Sequence, residues 1–222
     1  LNFVIFSFFI FDEITGIEGF IFFNAICSFL ALALFEAVNA LCGTLTELCT
    51  PVSCPVMCYP GVPKAHWISE RRKHHLYSAM QYIDCVMSFC EKSSKDESLY
   101  PTKYGNSFSC NFESHCRRLL QLLWHCCGHL YTNHWEQLSA LNLRPQFSLV
   151  LAHMHSIAKI YGLMDSKELS IISRTLQVIL SFLHSGGHSH SKWSRMPSSK
   201  SGSWGGHPSP SIISYKSYAQ TC

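Results

Sequence analysis

Apolar residues recur every three to four positions through most of this chain, and that helical period lapses between about residues 50 and 80. Phe35, Val38, Cys42, Leu45 and Leu48 form one stripe, with Glu36 and Asn39 off it, which predicts a helix over about 24–48. Tyr82, Val86, Phe89 and Cys90 predict a second over about 81–95. Cys116, Leu119, Leu120, Leu123, Cys127 and Leu130 make a broader stripe over about 112–140, wide enough for a central helix. After a loop marked by Arg144 and Pro145, two more helices are expected at 146–162 and 166–183. Asp165 starts the last one, with Glu168 three residues on in the capping-box arrangement. In the lapse itself, Pro51, Pro55, Pro60, Gly61 and Pro63 predict a long connection with room for extended or hairpin pieces. A loop of that length is usually functional or tethered. Tyr-Pro-Thr-Lys-Tyr-Gly at 100–105 reads as a turn. The fold class expected is mostly α.

The two ends differ from this body. The stretch 1–11 is almost wholly apolar, and after Asp12, Glu13 and Glu18 a second apolar run extends over 19–35. The first is shorter than the roughly 20 residues a bilayer needs; the second contains Asn24, and neither has flanking Lys or Arg to set an orientation. A membrane anchor is therefore disfavoured, though a membrane-anchored helical protein held through residues 1–35 stays as an alternative. Residues 184–222, rich in Ser, Gly, His and Pro, bury too little apolar surface to offset ordering entropy and are expected to be disordered. The organisation expected is an apolar extension over 1–23, one helical domain over 24–183 and a tail over 184–222. With 222 residues, nearly half of them apolar, the chain is long enough for one domain with a sizeable core.

Charge and cysteine content narrow the function. The segment 1–63 holds five acids (Asp12, Glu13, Glu18, Glu36, Glu47) and no Lys or Arg, so the net +3 conceals −5 there and +8 beyond. The cations are scattered without a basic-aromatic stripe, which argues against nucleic acid, and Glu-Arg-Arg-Lys-His-His at 70–75 reads as a solvated loop. Most of the twelve cysteines lie in helix-like apolar segments, a pattern of reduced thiols and not of a secreted disulfide scaffold. Cys27, Cys42, Cys85, Cys90, Cys116, Cys126 and Cys127 read as small hydrophobes. A cytoplasmic or nuclear setting follows as the expectation.

Two pairs stand apart. Cys49 and Cys54 have the C-x4-C spacing, and His129 and His134 the H-x4-H spacing, at which zinc takes two thiolates and two imidazoles. Four such ligands close the ion's coordination, so the site would be structural; a zinc-dependent hydrolase, which needs an open position, is the alternative. The long stretch of chain between Cys54 and His129 rules out a small DNA-reading finger, whose pairs lie close together. His125 competes, since His125 and His129 share a helical face whereas His129 and His134 point about 140° apart on an unbroken helix. For both His129 and His134 to reach one ion, the helix must end, loosen or bulge between them.

Over residues 24–183 the chain resembles the MOB (Mps one binder) kinase activators. The resemblance rests on Gly-Thr-Leu-Thr-Glu-Leu-Cys-Thr (43–50), Ser-Cys-Pro-Val-Met (53–57), Gln-Tyr-Ile-Asp-Cys-Val-Met-Ser (81–88), Tyr-Pro-Thr-Lys-Tyr-Gly (100–105) and Gly-Leu-Met-Asp-Ser-Lys-Glu-Leu (162–169). It implies a helical bundle with a long zinc-tethered loop after the first helix, ligands at Cys49, Cys54, His129 and His134, and no catalysis. Leu-Ala-Leu-Phe-Glu (32–36), Pro-Thr-Lys-Tyr-Gly (101–105) and Phe112-Glu113-Ser114 resemble the MOB kinase activator 2-like subclass, which binds NDR-type kinases without the usual activation. The partner implied is the basic N-terminal segment of an NDR or LATS kinase, with Glu36 and Asn39 at the rim of its site, in competition with an activating MOB. Ala25, Ile26 and Ala33 stand where the family's kinase-facing helix carries a Glu-Trp pair and an acid. Gln121, Leu122 and His125 replace the cations with which some members dock phosphopeptides, so no such pocket is expected.

Overall fold

The computed structural model describes residues 17–69, 71–101 and 108–185, with side chains over 24–181, and these form six helices and one small hairpin. The helices are α1 (Ile17–Gly43), α2 (Ala79–Ser94), α3 (Phe112–Asn133), α4 (Trp135–Ala140), α5 (Arg144–Ile160) and α6 (Ser166–Ser185); β1 (His66–Ile68) and β2 (His74–Leu76) pair between α1 and α2. The mostly helical class is borne out. Expectations for residues 1–16, for 102–105 and for nearly all of the tail lie outside the described residues.

α3 is central because its C-terminal half is enclosed on every side. Every residue over 122–132 is buried, and α1, α2 and α5 pack against it. Removing each buried leucine side chain (Leu119, Leu120, Leu122, Leu123) from water contributes about 1.5–3 kcal/mol. Among the described residues one helix, Asn24–Gly43, is long and apolar enough to span a bilayer by length and composition. Its stripe of Cys27, Ala31, Leu34, Phe35, Val38, Leu41 and Cys42 is buried, however, and α1 packs on α2, α3 and α5, as a core helix does.

α1 starts at Ile17 and not at 24, so it runs into the stretch expected to be a separate extension, and three further boundaries depart from the periodicity. α1 stops at Gly43, short of residue 48. The Thr44 hydroxyl bonds back to the Leu41 carbonyl (2.7 Å), that of Thr46 to Gly43 (3.1 Å), and the chain continues in short turns that still bury Leu45 but expose Leu48. Arg144 and Pro145 lie inside the first turn of α5, not in a loop, because proline is tolerated where the N–H has no helical partner anyway. The helix expected over 112–140 is broken at His134 into α3 and α4. Asp165 does start α6, its Oδ1 accepting the Glu168 N–H at 2.7 Å, while the Glu168 carboxylate accepts from Gln121 Nε2 (2.9 Å). The reciprocal capping box is found instead at α2, between Ser78 and Gln81.

The long connection is stitched at both ends. Ala79 N–H donates to the Cys54 carbonyl (3.1 Å), Met57 N–H to Tyr77 (3.0 Å) and Ala65 N–H to Met57 (2.8 Å). In the hairpin His66 faces Leu76 and Ile68 faces His74, and its turn puts Arg72 at φ 57°. Tyr59 and Pro60 press on α3 at Gly128, where an added Cβ would lie 2.8 Å from Tyr59 Cβ and 2.9 Å from Pro60 Cδ. Only glycine lets this loop come so close.

Candidate metal centre

Cys49 and Cys54 are brought to one side of their loop by its own polar groups. Thr50 N–H donates to Ser53 Oγ (2.9 Å), Ser53 Oγ donates to the Leu48 carbonyl (2.7 Å), and Cys54 N–H donates to the Thr50 carbonyl (2.8 Å). This tight turn faces the C-terminal end of α3. His129 lies in its last turns, and His134 occupies the break itself, at φ −126° and ψ 18°, between α3 and α4. The break answers the geometric demand of the H-x4-H spacing, because leaving the helix swings the second ring back toward the first; the ring centroids are 5.3 Å apart.

The four ligand atoms lie within 4.8 Å of one another and all four residues are buried. Cys49 Sγ is 3.4 Å from His129 Nε2 and Cys54 Sγ is 3.5 Å from His134 Nε2. A tetrahedral ion with bonds of about 2.3 Å to sulfur and about 2.0–2.1 Å to nitrogen separates S and N by about 3.5 Å, so these two pairs already stand at the spacing zinc would give them. Two thiolates and two neutral imidazoles would also balance a dication. Cys54 is the thiol that ionises first: a hydrogen bond from Cys49 holds it well below the usual thiol range, and His129 and His134 add to this against the opposing effect of burial. Cys49 is pushed up, first by the same hydrogen bond with Cys54 and then by burial. The group contains no carboxylate, and four protein donors leave no place for a substrate water.

Around the cluster the two imidazoles are treated differently. His129 Nδ1 lies 3.1 Å from the Cys58 carbonyl and 3.0 Å from the Asn133 amide nitrogen. With Nε2 facing sulfur, Nδ1 carries the proton and donates to the Cys58 carbonyl, while the Asn133 amide nitrogen donates to Cys58 Sγ (3.2 Å) and so braces the same residue. His134 Nδ1 is buried with no hydrogen-bond partner among the described residues. Sequence reasoning missed Asn133 and the Cys58 carbonyl; for Asn133 the signal was its position four residues after His129 on the same face.

His125 stays out of the cluster. Tyr82 Oη lies 2.7 Å from its Nδ1, Tyr59 stacks on its ring (centroids 4.1 Å, planes 11° apart), and burial first, then the Arg118 charge, pushes its pKa down to about 3. Of the cysteines read as small hydrophobes, all are buried except the half-buried Cys85.

Glu36 and Asn39 are both exposed on α1. Asn39 lines a small depression of about 90 Å³ between α1 and α2 that also reaches Cys49, Met80, Ile83 and Asp84. On the other flank a groove of about 330 Å³, lined by Ala37, Ala40, Leu41, Thr44, Leu143, Gln146, Leu149 and Val150, runs between α1 and α5. Glu36 lies one turn before Ala40, on the exposed face between the two.

Residues 24–172 match the model of the Mob1/phocein family. Among curated proteins, the chain is 41% identical over 149 residues to MOB kinase activator-like 2 of Drosophila melanogaster, which covers 67% of this chain and 26% of that protein. It is 34% identical over 156 residues to human MOB kinase activator 2, covering 69% and 65% respectively. It is also 34% identical over 139 residues to human MOB kinase activator 3A, covering 61% and 63%. The chain thus spans about a quarter of the Drosophila relative and just under two thirds of the human ones.

Proposed function

The chain belongs to the Mob1/phocein family, and from that premise we propose that it is a non-enzymatic kinase regulator, an adaptor that holds the basic N-terminal segment of an NDR or LATS-type serine/threonine kinase and competes there with an activating MOB. One observation carries the proposal. On its exposed side α1 presents Ala25, Phe29, Ala33 and Ala40, and over Asn24–Gly43 its only charged residue is Glu36. A helix whose outer face is this poor in charge suits a surface that a partner covers. The adjoining apolar groove between α1 and α5 would take the apolar side of an amphipathic helix, and Glu36, with Asn39 beside it, would meet that helix's basic side. Charge complementarity of this kind raises encounter rates more than affinity and weakens with salt.

The cofactor that goes with this proposal is one structural zinc ion at Cys49, Cys54, His129 and His134. It would supply a crosslink between the turn after α1 and the far end of α3, and so hold that loop against the central helix. The setting proposed is cytoplasmic or nuclear.

Titration of the purified chain with the N-terminal segment of an NDR-type kinase, followed by calorimetry, tests the proposal. Saturable binding is expected. Glu36→Lys should weaken it about three- to tenfold, the size of one rim charge reversal. A parent chain that does not bind overturns the adaptor proposal; a Glu36→Lys variant that binds as tightly as the parent removes only the named contact.

A further inference from the structure

Arg71, Lys73 and His75, which the sequence presents as part of a solvated charged loop, are folded by the hairpin onto a groove they do not form alone. With Trp67, Ile68 and Ser69 of the hairpin, Asp84, Cys85, Ser88, Phe89 and Lys92 of α2, and Arg118 of α3, they line one open cavity of about 820 Å³. Arg71, Lys73, Lys92 and Arg118 are permanent cations, and Asp84 is the single carboxylate among the described residues lining the cavity. Among the described residues Arg71, Lys73 and Arg118 form no ion pair, whereas Lys95, Arg117 and Arg144 each do. The floor is apolar, with Trp67 held edge-on against Tyr82 (centroids 5.5 Å). None of Gln121, Leu122 and His125 lines it.

We propose that this groove is a second protein-docking site, for an extended acidic segment of a partner that carries Asp and Glu residues around one large apolar side chain. The cations come from three separate elements, so they match several carboxylates spread along a peptide better than one phosphate, which needs donors converging on a point. Trp67, Ile68 and Phe89 supply the pocket for the apolar side chain, and the volume suits a few residues of chain. The groove is opposite in sign to the α1 surface, which has no cation between residues 24 and 43, so the two sites would select partners of opposite charge. This proposal does not depend on kinase binding.

Fluorescence anisotropy of a labelled peptide, with aspartates and glutamates flanking a single phenylalanine, is the test, run on the full chain without kinase. Saturable binding is expected, falling about tenfold in Arg71→Glu/Lys73→Glu, which is about 1.4 kcal/mol for two rim charges, and about threefold in Lys92→Glu. The variants' melting temperatures should match the parent's, because these side chains lie at the surface. Equal binding of a peptide with Asn and Gln in place of the acids would overturn the proposal. So would unaltered binding in the charge-reversed variants, or a neutral peptide bearing one phosphoserine that binds while the acidic peptide does not.

Discussion

Two histidines one turn apart on α3, His125 and His129, are both buried imidazoles, yet they sit in opposite kinds of chemistry. His125 is held by Tyr82 and Tyr59, has no hydrogen bond to sulfur among the described residues, and is kept neutral first by burial. His129 is enclosed by Cys49, Cys54 and His134, with the Cys58 carbonyl behind it. Burial alone therefore does not make a metal site; convergence of donors does. Both environments depend on the same loop, since Tyr59 stacks on His125 while the preceding residue braces His129, and Gly128 is the position that admits this loop to α3.

The largest effect should separate the two clusters. Cys49→Ser or His134→Ala is expected to lower the melting temperature by about 10 °C or more, and chelation of the parent should reproduce the loss, because binding energy at a structural site is folding energy. Elemental analysis should find one zinc per parent chain and none in the variants; an unchanged melting temperature in a metal-free chain would abolish the distinction. Gly128→Ala comes next. Forcing the loop away from α3 should cost about 1–3 kcal/mol by overpacking and disturb both clusters at once, seen as a lower melting temperature together with weaker metal retention. Tyr82→Phe should cost about 1–2 kcal/mol by leaving His125 Nδ1 unpaired, and metal content should not change.

The smallest test is a slope. His125 has a folded pKa of about 3 against an ordinary 6.5, so between those values the unfolded chain binds a proton that the folded chain does not. Its stabilising contribution is thus present above about pH 6.5 and is lost as pH falls toward 3, at no more than about 1.4 kcal/mol per pH unit. The difference in denaturant midpoints between parent and His125→Gln across that window isolates this effect, since titration of the Cys and His cluster is common to both. A difference that does not vary with pH would show that His125 is not buried neutral.

Most helices were legible because the 3.6-residue period is a local property. The stripe over 116–130 is buried as its spacing implies, and the Asp165 cap holds. Boundaries were less legible where side chains compete for the backbone, as Thr44 and Thr46 do after α1, or where proline fits a first turn, as Pro145 does. The C-x4-C and H-x4-H spacings marked the four donor residues, and the matched motifs ranked His134 above His125, but no local pattern predicted Asn133 as a brace or the hairpin's cations as one wall of a groove.

The sequence by itself determined the helical class, the two candidate ligand pairs and the family, because periodicity, spacing and motif are written along the chain. Only the tertiary structure decided which imidazoles meet the thiolates, that the helix breaks at His134, and that Arg71, Lys73, Lys92 and Arg118 share a cavity. Contacts between residues far apart in the chain depend on how helices pack and loops close, and the fit of loop to helix is set where Tyr59 and Pro60 meet the backbone of Gly128, a meeting that no local stretch of sequence encodes.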